Sequence, residues 1–210
     1  ARRYDEVRAL RGRIGGQALA LIDFTHLPVR SPFIALMPQW DFLDFVAGQA
    51  RAFPTFDLRM ECEATGIIEE EGRIAGVTTA SGEAMRARLV IAADGRRSIL
   101  REAAALPLED LGAPMDVLWF RLPKRRAMAN DTVGVFDRGR IAVLLDRGDY
   151  WQCAWVIPKG ANETVRARGL DAFRADIARL VPEVADVTGA LESWDAVKLL
   201  TVALDRLTCW

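Results

Sequence analysis

The run Leu89-Val90-Ile91-Ala92-Ala93, stopped at once by Asp94-Gly95, constrains this chain more than any other feature. Five apolar residues without alternation are the pattern of a strand covered on both faces, because a half-buried strand alternates. Such a strand needs a layer on each side, which commits the chain to a layered α/β architecture. Gly95 permits a sharp turn and a close backbone approach to a ligand. Ser98 can cap a helix over residues 98–105, and Arg101, one turn along it, can reach back to the loop. Ligands of α/β sheets bind at the carboxyl ends of strands like this one. The same spacing also serves an ordinary strand–turn–helix junction, so both readings stand on pattern alone.

The rest of the chain supplies layers for that strand. Residues 17–24 alternate and read as a strand, and residues 33–37 as a short apolar strand stopped by Pro38. A helix should follow with Asp41 as its N-cap, since Phe42, Phe45, Val46 and Phe53 fall on one helical face before Pro54 closes it. Leu58, Met60, Cys62 and Ala64 alternate with charged residues and predict a half-buried strand. Glu71-Gly72 and Ser81-Gly82 flank residues 73–80, a meander of antiparallel strands. Beyond Pro107, residues 116–122, 132–137, 140–146 and 149–158 predict an antiparallel sheet. Leu170, Phe173, Ile177, Leu180 and Val181 then make an amphipathic helix ended by Pro182, and residues 193–204 a last extended segment.

Composition narrows the chemistry. At 51% hydrophobic residues the chain is too apolar for disorder, and no 18-residue apolar run predicts a transmembrane helix. Near-neutral charge argues against a nucleic-acid partner. A single histidine, His26, and three cysteines without CxxC spacing exclude a His-rich metal site and a zinc ribbon, and suit a reducing, cytoplasmic compartment. His26, near Pro28, reads as a loop residue. Of the 28 basic residues 25 are arginine, which serves phosphate recognition by guanidinium forks and equally follows from a GC-rich coding bias. In residues 116–122, Trp119 and Arg121 share one face while Leu118, Phe120 and Leu122 share the other; Trp151, Cys153 and Trp155 likewise align. Trp119, Arg121 and Trp155 form either an aromatic wall for an acidic or phenolic substrate, or parts of a half-buried sheet with tryptophan in its core.

The spacing Asp94-Gly95-x-x-Ser98-x-x-Arg101 after an apolar strand resembles the second fingerprint of the FAD-dependent aromatic hydroxylases, flavoprotein monooxygenases built like p-hydroxybenzoate hydroxylase. Residues 34–43, IALMPQWDFL, resemble the strand and helix that precede the meander in that family. The resemblance implies an α/β (α+β) chain: part of a Rossmann-like FAD-binding domain over 1–112, a substrate-binding antiparallel sheet with its covering helix over 113–192, and a return strand over 193–210. It implies FAD as cofactor, with Gln39 at the ribityl or phosphate region, Asp94 and Gly95 near the FAD and the nicotinamide co-substrate, and Ser98 and Arg101 shaping that loop. The sheet would cover the isoalloxazine and the substrate.

The implied reaction needs no nucleophilic side chain. NAD(P)H reduces the flavin, oxygen adds at C4a, and the hydroperoxide passes OH to a small aromatic substrate. A homodimer is the candidate assembly, with no metal. The alternatives are a geranylgeranyl-reductase-like reductase or a halogenase of the same fold, or a binding module that has lost its cofactor. Gly12, Gly15 and Gly16 do not form the family's G-x-G-x-x-G, and its later Gly-Asp motif is missing. An internal fragment is therefore expected, inactive alone, binding FAD weakly or not at all, with an exposed apolar patch beside residues 89–93.

Overall fold

The computed structural model describes residues 4–125 and 132–209. In chain order its elements are β1 (Asp5–Val7), β2 (Ala9–Ile14), β3 (Gln17–Asp23), β4 (Ile34–Leu36), α1 (Gln39–Ala50), β5 (Ala64–Glu70), β6 (Arg73–Thr79), β7 (Ala84–Arg86), α2 (Ile99–Ala103), β8 (Leu108–Asp110), β9 (Met115–Pro123), β10 (Val133–Asp137), β11 (Arg140–Asp146), β12 (Tyr150–Pro158), α3 (Asn162–Ala167), α4 (Leu170–Leu180), β13 (Lys198–Leu200) and β14 (Asp205–Leu207). Contacts divide the chain into two units, one holding the segment up to Pro38 with Gly112–Ala203, the other Gln39–Leu111 with the segment from Leu204.

The first unit is a seven-stranded sheet in the order β13-β9-β12-β11-β10-β2-β3. Its tight hairpins follow from turn chemistry: Gly15-Gly16 and Arg138-Gly139 both take positive φ, the geometry of two-residue turns that match strand twist. β2 joins β10 in parallel, Arg11 opposite Val133 through Ile14 opposite Phe136. Gly12 lets the strands approach closely there: a Cβ would sit 2.4 Å from the Leu21 side chain, which would have to move aside. The units change at Leu111/Gly112, beside the expected 112/113, but the segment up to Pro38 lies with the sheet and not with Gln39–Leu111: the early strands β2 and β3 complete the sheet that was expected to begin at 113.

One face of this sheet carries the core. α4 lays Phe173, Ile177 and Leu180 on Leu118, Phe120, Leu122, Leu144, Trp151, Cys153 and Trp155, with Val184, Leu191 and Val197 closing the edge. Phe173 is the hub, edge-on to Phe120 and Trp155 and stacked on Trp194. Asp116, at the start of β9, is buried and accepts from Lys159 Nζ (2.9 Å), Gly160 N (2.9 Å) and Val202 N (3.0 Å). The expected extended segment 193–204 proves shorter: a 3-10 turn over Trp194–Ala196 precedes β13, which pairs with β9.

The second unit holds α1, the antiparallel meander β5-β6-β7, α2, and the antiparallel pair β8–β14. Three expectations are corrected here. α1 starts at Gln39, so Asp41 lies in its first turn and is not its N-cap. Residues 58–63 form no strand; the strand starts at Ala64. Residues 89–93 form none either. A strand exists through its ladder bonds, and no strand pairs with either segment among the described residues, so sequences suited to strands stay irregular. The apolar patch expected beside residues 89–93 is present, with Leu89 74% and Ile91 80% exposed. No residue of α1 is buried, and its aromatic face, Phe42 and Phe45 included, is accessible.

Candidate functional site

In the second unit the loop 94–98 is held from within. Gly95 takes φ +89, the left-handed conformation that glycine adopts without steric cost, and a Cβ built there meets nothing within 4 Å. Ser98 caps α2 by accepting from Arg101 N at 3.0 Å and is itself buried. Arg101 is largely buried and turns back, its Nη1 donating to the Arg96 carbonyl at 3.2 Å. The Asp94 carboxylate also points into the cap: Leu100 N donates to Oδ2 at 3.4 Å. A side-chain hydrogen bond from Ser98, assisted by backbone N–H groups of the first helical turn, holds the Asp94 carboxyl below its ordinary range. Asp94 is thus an ionised element of the loop's own architecture, and what the loop offers a ligand is the exposed backbone around Gly95. Beside it lies a cleft of about 890 Å³, lined by Leu89, Ile91, Gly95, Arg96, Ser98 and Leu106 among others. Gln39 is exposed at the start of α1, and its side-chain amide has no hydrogen-bond partner among the described residues.

In the first unit the sheet face turned away from α4 is the second candidate surface. Register puts Val117, Trp119 and Arg121 of β9 on that face with Tyr150, Gln152 and Val156 of β12. Arg121 lies over the Tyr150 ring, 4.8 Å from its centroid, which fixes the guanidinium while leaving its donors in-plane. Gln152 accepts from Arg147 Nε at 3.0 Å. Trp155 is a different case. It stands opposite Leu118 in the register, 7% exposed, with its ring against Phe173. The expected wall of Trp119, Arg121 and Trp155 is therefore corrected: the structure brings Trp119 and Arg121 together and assigns Trp155 to the core. Alternation separated the faces, but only the position of α4 decides which one is covered. His26 sits in the exposed turn Phe24–His26, its Nε2 3.3 Å from Asp23.

Residues 5–210 match the family model described as FAD binding domain. The chain belongs to that family. Among curated proteins it is 32% identical over 202 residues to 6-methylpretetramide 4-monooxygenase of Streptomyces rimosus, covering 93% of this chain and 48% of the relative. Among solved structures it resembles PqsL of Pseudomonas aeruginosa in complex with 2-aminobenzoylacetate, with TM-score 0.76 and 20% identity over 95% of this chain and 56% of that one. It also resembles the tetrameric form of 2-methyl-3-hydroxypyridine-5-carboxylic acid oxygenase, with TM-score 0.72 and 14% identity over 97% and 54%. The chain spans about half the length of these proteins.

Set in the FAD-binding family, the residues present fit a dinucleotide in part. Free backbone at Gly95 suits the close approach of a polyanionic ligand, and the open amide of Gln39 suits a hydroxylated or phosphate-bearing chain. Ser98 and Arg101 are committed to the loop and hold it in that shape. Tyr150 and Gln152 escaped the sequence reading, although their alternation with Trp151 and Cys153 already placed them on the face of Trp119.

Proposed function

We propose that this chain is part of an FAD-dependent, NAD(P)H-using monooxygenase that hydroxylates an aromatic or similar small organic substrate. The observation that most supports this reading is the Asp94–Arg101 loop, braced by its own Asp94, Ser98 and Arg101 side chains and presenting bare backbone at Gly95, in a chain matched to the FAD binding domain family over residues 5–210. Gln39 and the Gly95 backbone would hold the FAD, with Ser98 and Arg101 keeping the loop preorganised. FAD supplies the oxygen-activating chemistry when bound. Trp119 offers a ring to stack an aromatic substrate, and Arg121, steadied on Tyr150, offers donors to an acidic or phenolic oxygen. The apolar side chains Val117 and Val156 beside them limit water at that face. A homodimer is the proposed assembly, and three unpaired cysteines suit a reducing compartment.

The test is oxygen uptake by the full-length protein supplied with FAD, NADH or NADPH, and a panel of phenols. 6-methylpretetramide, named by the Streptomyces rimosus relative, is the first compound to try. Coupled consumption of oxygen and NAD(P)H with a hydroxylated product supports the reading. NAD(P)H oxidation that reduces the substrate without oxygen, or product formation that requires halide, replaces it with the reductase or halogenase. Failure to hold any flavin leaves the binding module.

A further inference from the structure

On the helix-covered side of the first unit, away from Trp119 and Arg121, three arginines converge on one carboxylate. Asp176, in the middle of α4, is 5% exposed. Arg168 Nη1 lies 2.8 Å from its Oδ2, Arg179 Nη1 3.1 Å from Oδ1, and Arg140 Nη1 3.8 Å from Oδ1. The three come from different places: β11, the end of α3, and the next turn of α4. Their side chains remain 41–65% exposed, so each guanidinium keeps donors facing solvent. Asp137, the strand partner of Arg140, forms no ion pair with a described residue, and nearby Arg13 is already matched by Glu183.

We propose that Arg140, Arg168 and Arg179, gathered by Asp176, form a binding site for a phosphate-type oxyanion, either free phosphate or the phosphate of a small ester. Even with Asp137 opposite Arg140 counted beside Asp176, two carboxylates face three guanidinium groups, and the remaining positive charge is concentrated where an anion relieves it. Burial of Asp176 gives the site what scattered surface arginines lack, a fixed centre that limits their rotamers before an anion arrives. A planar fork presents paired N–H groups to tetrahedral oxyanions, which is why arginine suits this ligand better than lysine. Asp176 also excludes an anion from the centre itself, so the ligand sits over the outward-facing donors. This inference does not depend on the monooxygenase reading.

Phosphate binding to the chain, followed by ³¹P line broadening and calorimetry at constant ionic strength, tests it directly. Saturable one-site binding is expected for inorganic phosphate. Arg168→Gln and Arg179→Gln should each weaken it about three- to fivefold, the effect of one partly exposed charge contact. Arg59→Gln, which belongs to the other unit and pairs with Asp57 and Glu83, should leave it unchanged. Arg179 lies on the outer surface of α4, so its variant remains informative if Arg168→Gln lowers stability. Adenosine 2′-monophosphate is the second arm: binding as tight as phosphate identifies an ester as the ligand, and its rejection identifies the free anion. Non-saturating binding, or equal weakening by all three variants, overturns the proposal.

Discussion

Phe173 is where the first unit can be broken with one substitution. Its ring is 2% exposed and packs on three aromatic neighbours, at centroid distances of 5.6 Å to Phe120, 5.8 Å to Trp155 and 5.4 Å to Trp194. Truncating a buried phenylalanine costs about 3–5 kcal/mol through lost transfer energy and the cavity left behind. Losing three aromatic contacts, each worth about 0.5–1.5 kcal/mol beyond area, puts Phe173→Ala near the top of that range. Phe173→Leu keeps most of the volume and should cost about 2 kcal/mol. For a chain of this size the alanine variant should melt roughly 8–20 °C lower. Urea unfolding followed by tryptophan emission reads the loss, because Trp155 and Trp194, two of the six tryptophans, both flank the ring. Trp119→Ala is the control: it removes a larger side chain from the other, half-buried face and should cost less than Phe173→Ala. A Phe173→Ala loss below about 1.5 kcal/mol, or a Trp119→Ala loss that equals it, would refute the assignment of the covered face.

Burial pushes the Cys153 thiol up to about 12, so at pH 8 alkylating reagents should label the exposed Cys62 and Cys209 in the folded protein and reach Cys153 only in denaturant, as peptide mass mapping would show. Gly95→Ala meets no clash but must hold φ +89, a cost of about 1–2 kcal/mol in urea titration; the full-length variant should also lose flavin affinity, and unchanged affinity would remove Gly95 from the cofactor site. Hydrogen bonds from Gly160 N and the Lys159 ammonium hold the Asp116 carboxyl below its ordinary value of 3.8. Its contribution to stability is therefore complete above that value and fades as pH falls through the lower folded value. Asp116→Asn should lower the urea midpoint at pH 7 and flatten its fall below pH 4, and an acid limb identical to that of the parent would contradict this.

Local chemistry was the legible part of this fold. Glu71-Gly72 and Arg138-Gly139 announce hairpins because positive φ is a property of a dipeptide, and the structure has it at all four residues. The Ser98 cap and the Arg101 brace were readable for the same reason, since both partners lie within one turn of helix or its loop. What depends on distant chain was not readable. Residues 9–14 show no strand signal, because what places β2 is a parallel partner far along the chain. Residues 89–93 carry the composition of an enclosed strand, but enclosure needs flanking strands, and none pairs with this segment among the described residues. Trp155 shows the same limit within the candidate site. Period-two alternation grouped it correctly with Trp151 and Cys153, yet whether that group meets a helix or a substrate depends on α4.

The parallel pairing of β2 with β10 also sets an order of events during synthesis. Gly12 cannot meet Gly134 until the roughly 120 residues from one to the other, Gln39–Leu111 included, have been made. At about 5–20 residues per second that is a wait of roughly 6–24 s, during which the β2–β3 hairpin exists without the sheet that positions it. Leu19, Leu21 and Ile22 remain 40–47% exposed even in the finished fold, so the waiting hairpin is an apolar, unpaired edge on a nascent chain. Slowing translation across the second unit would lengthen the interval between the emergence of this hairpin and the arrival of β10.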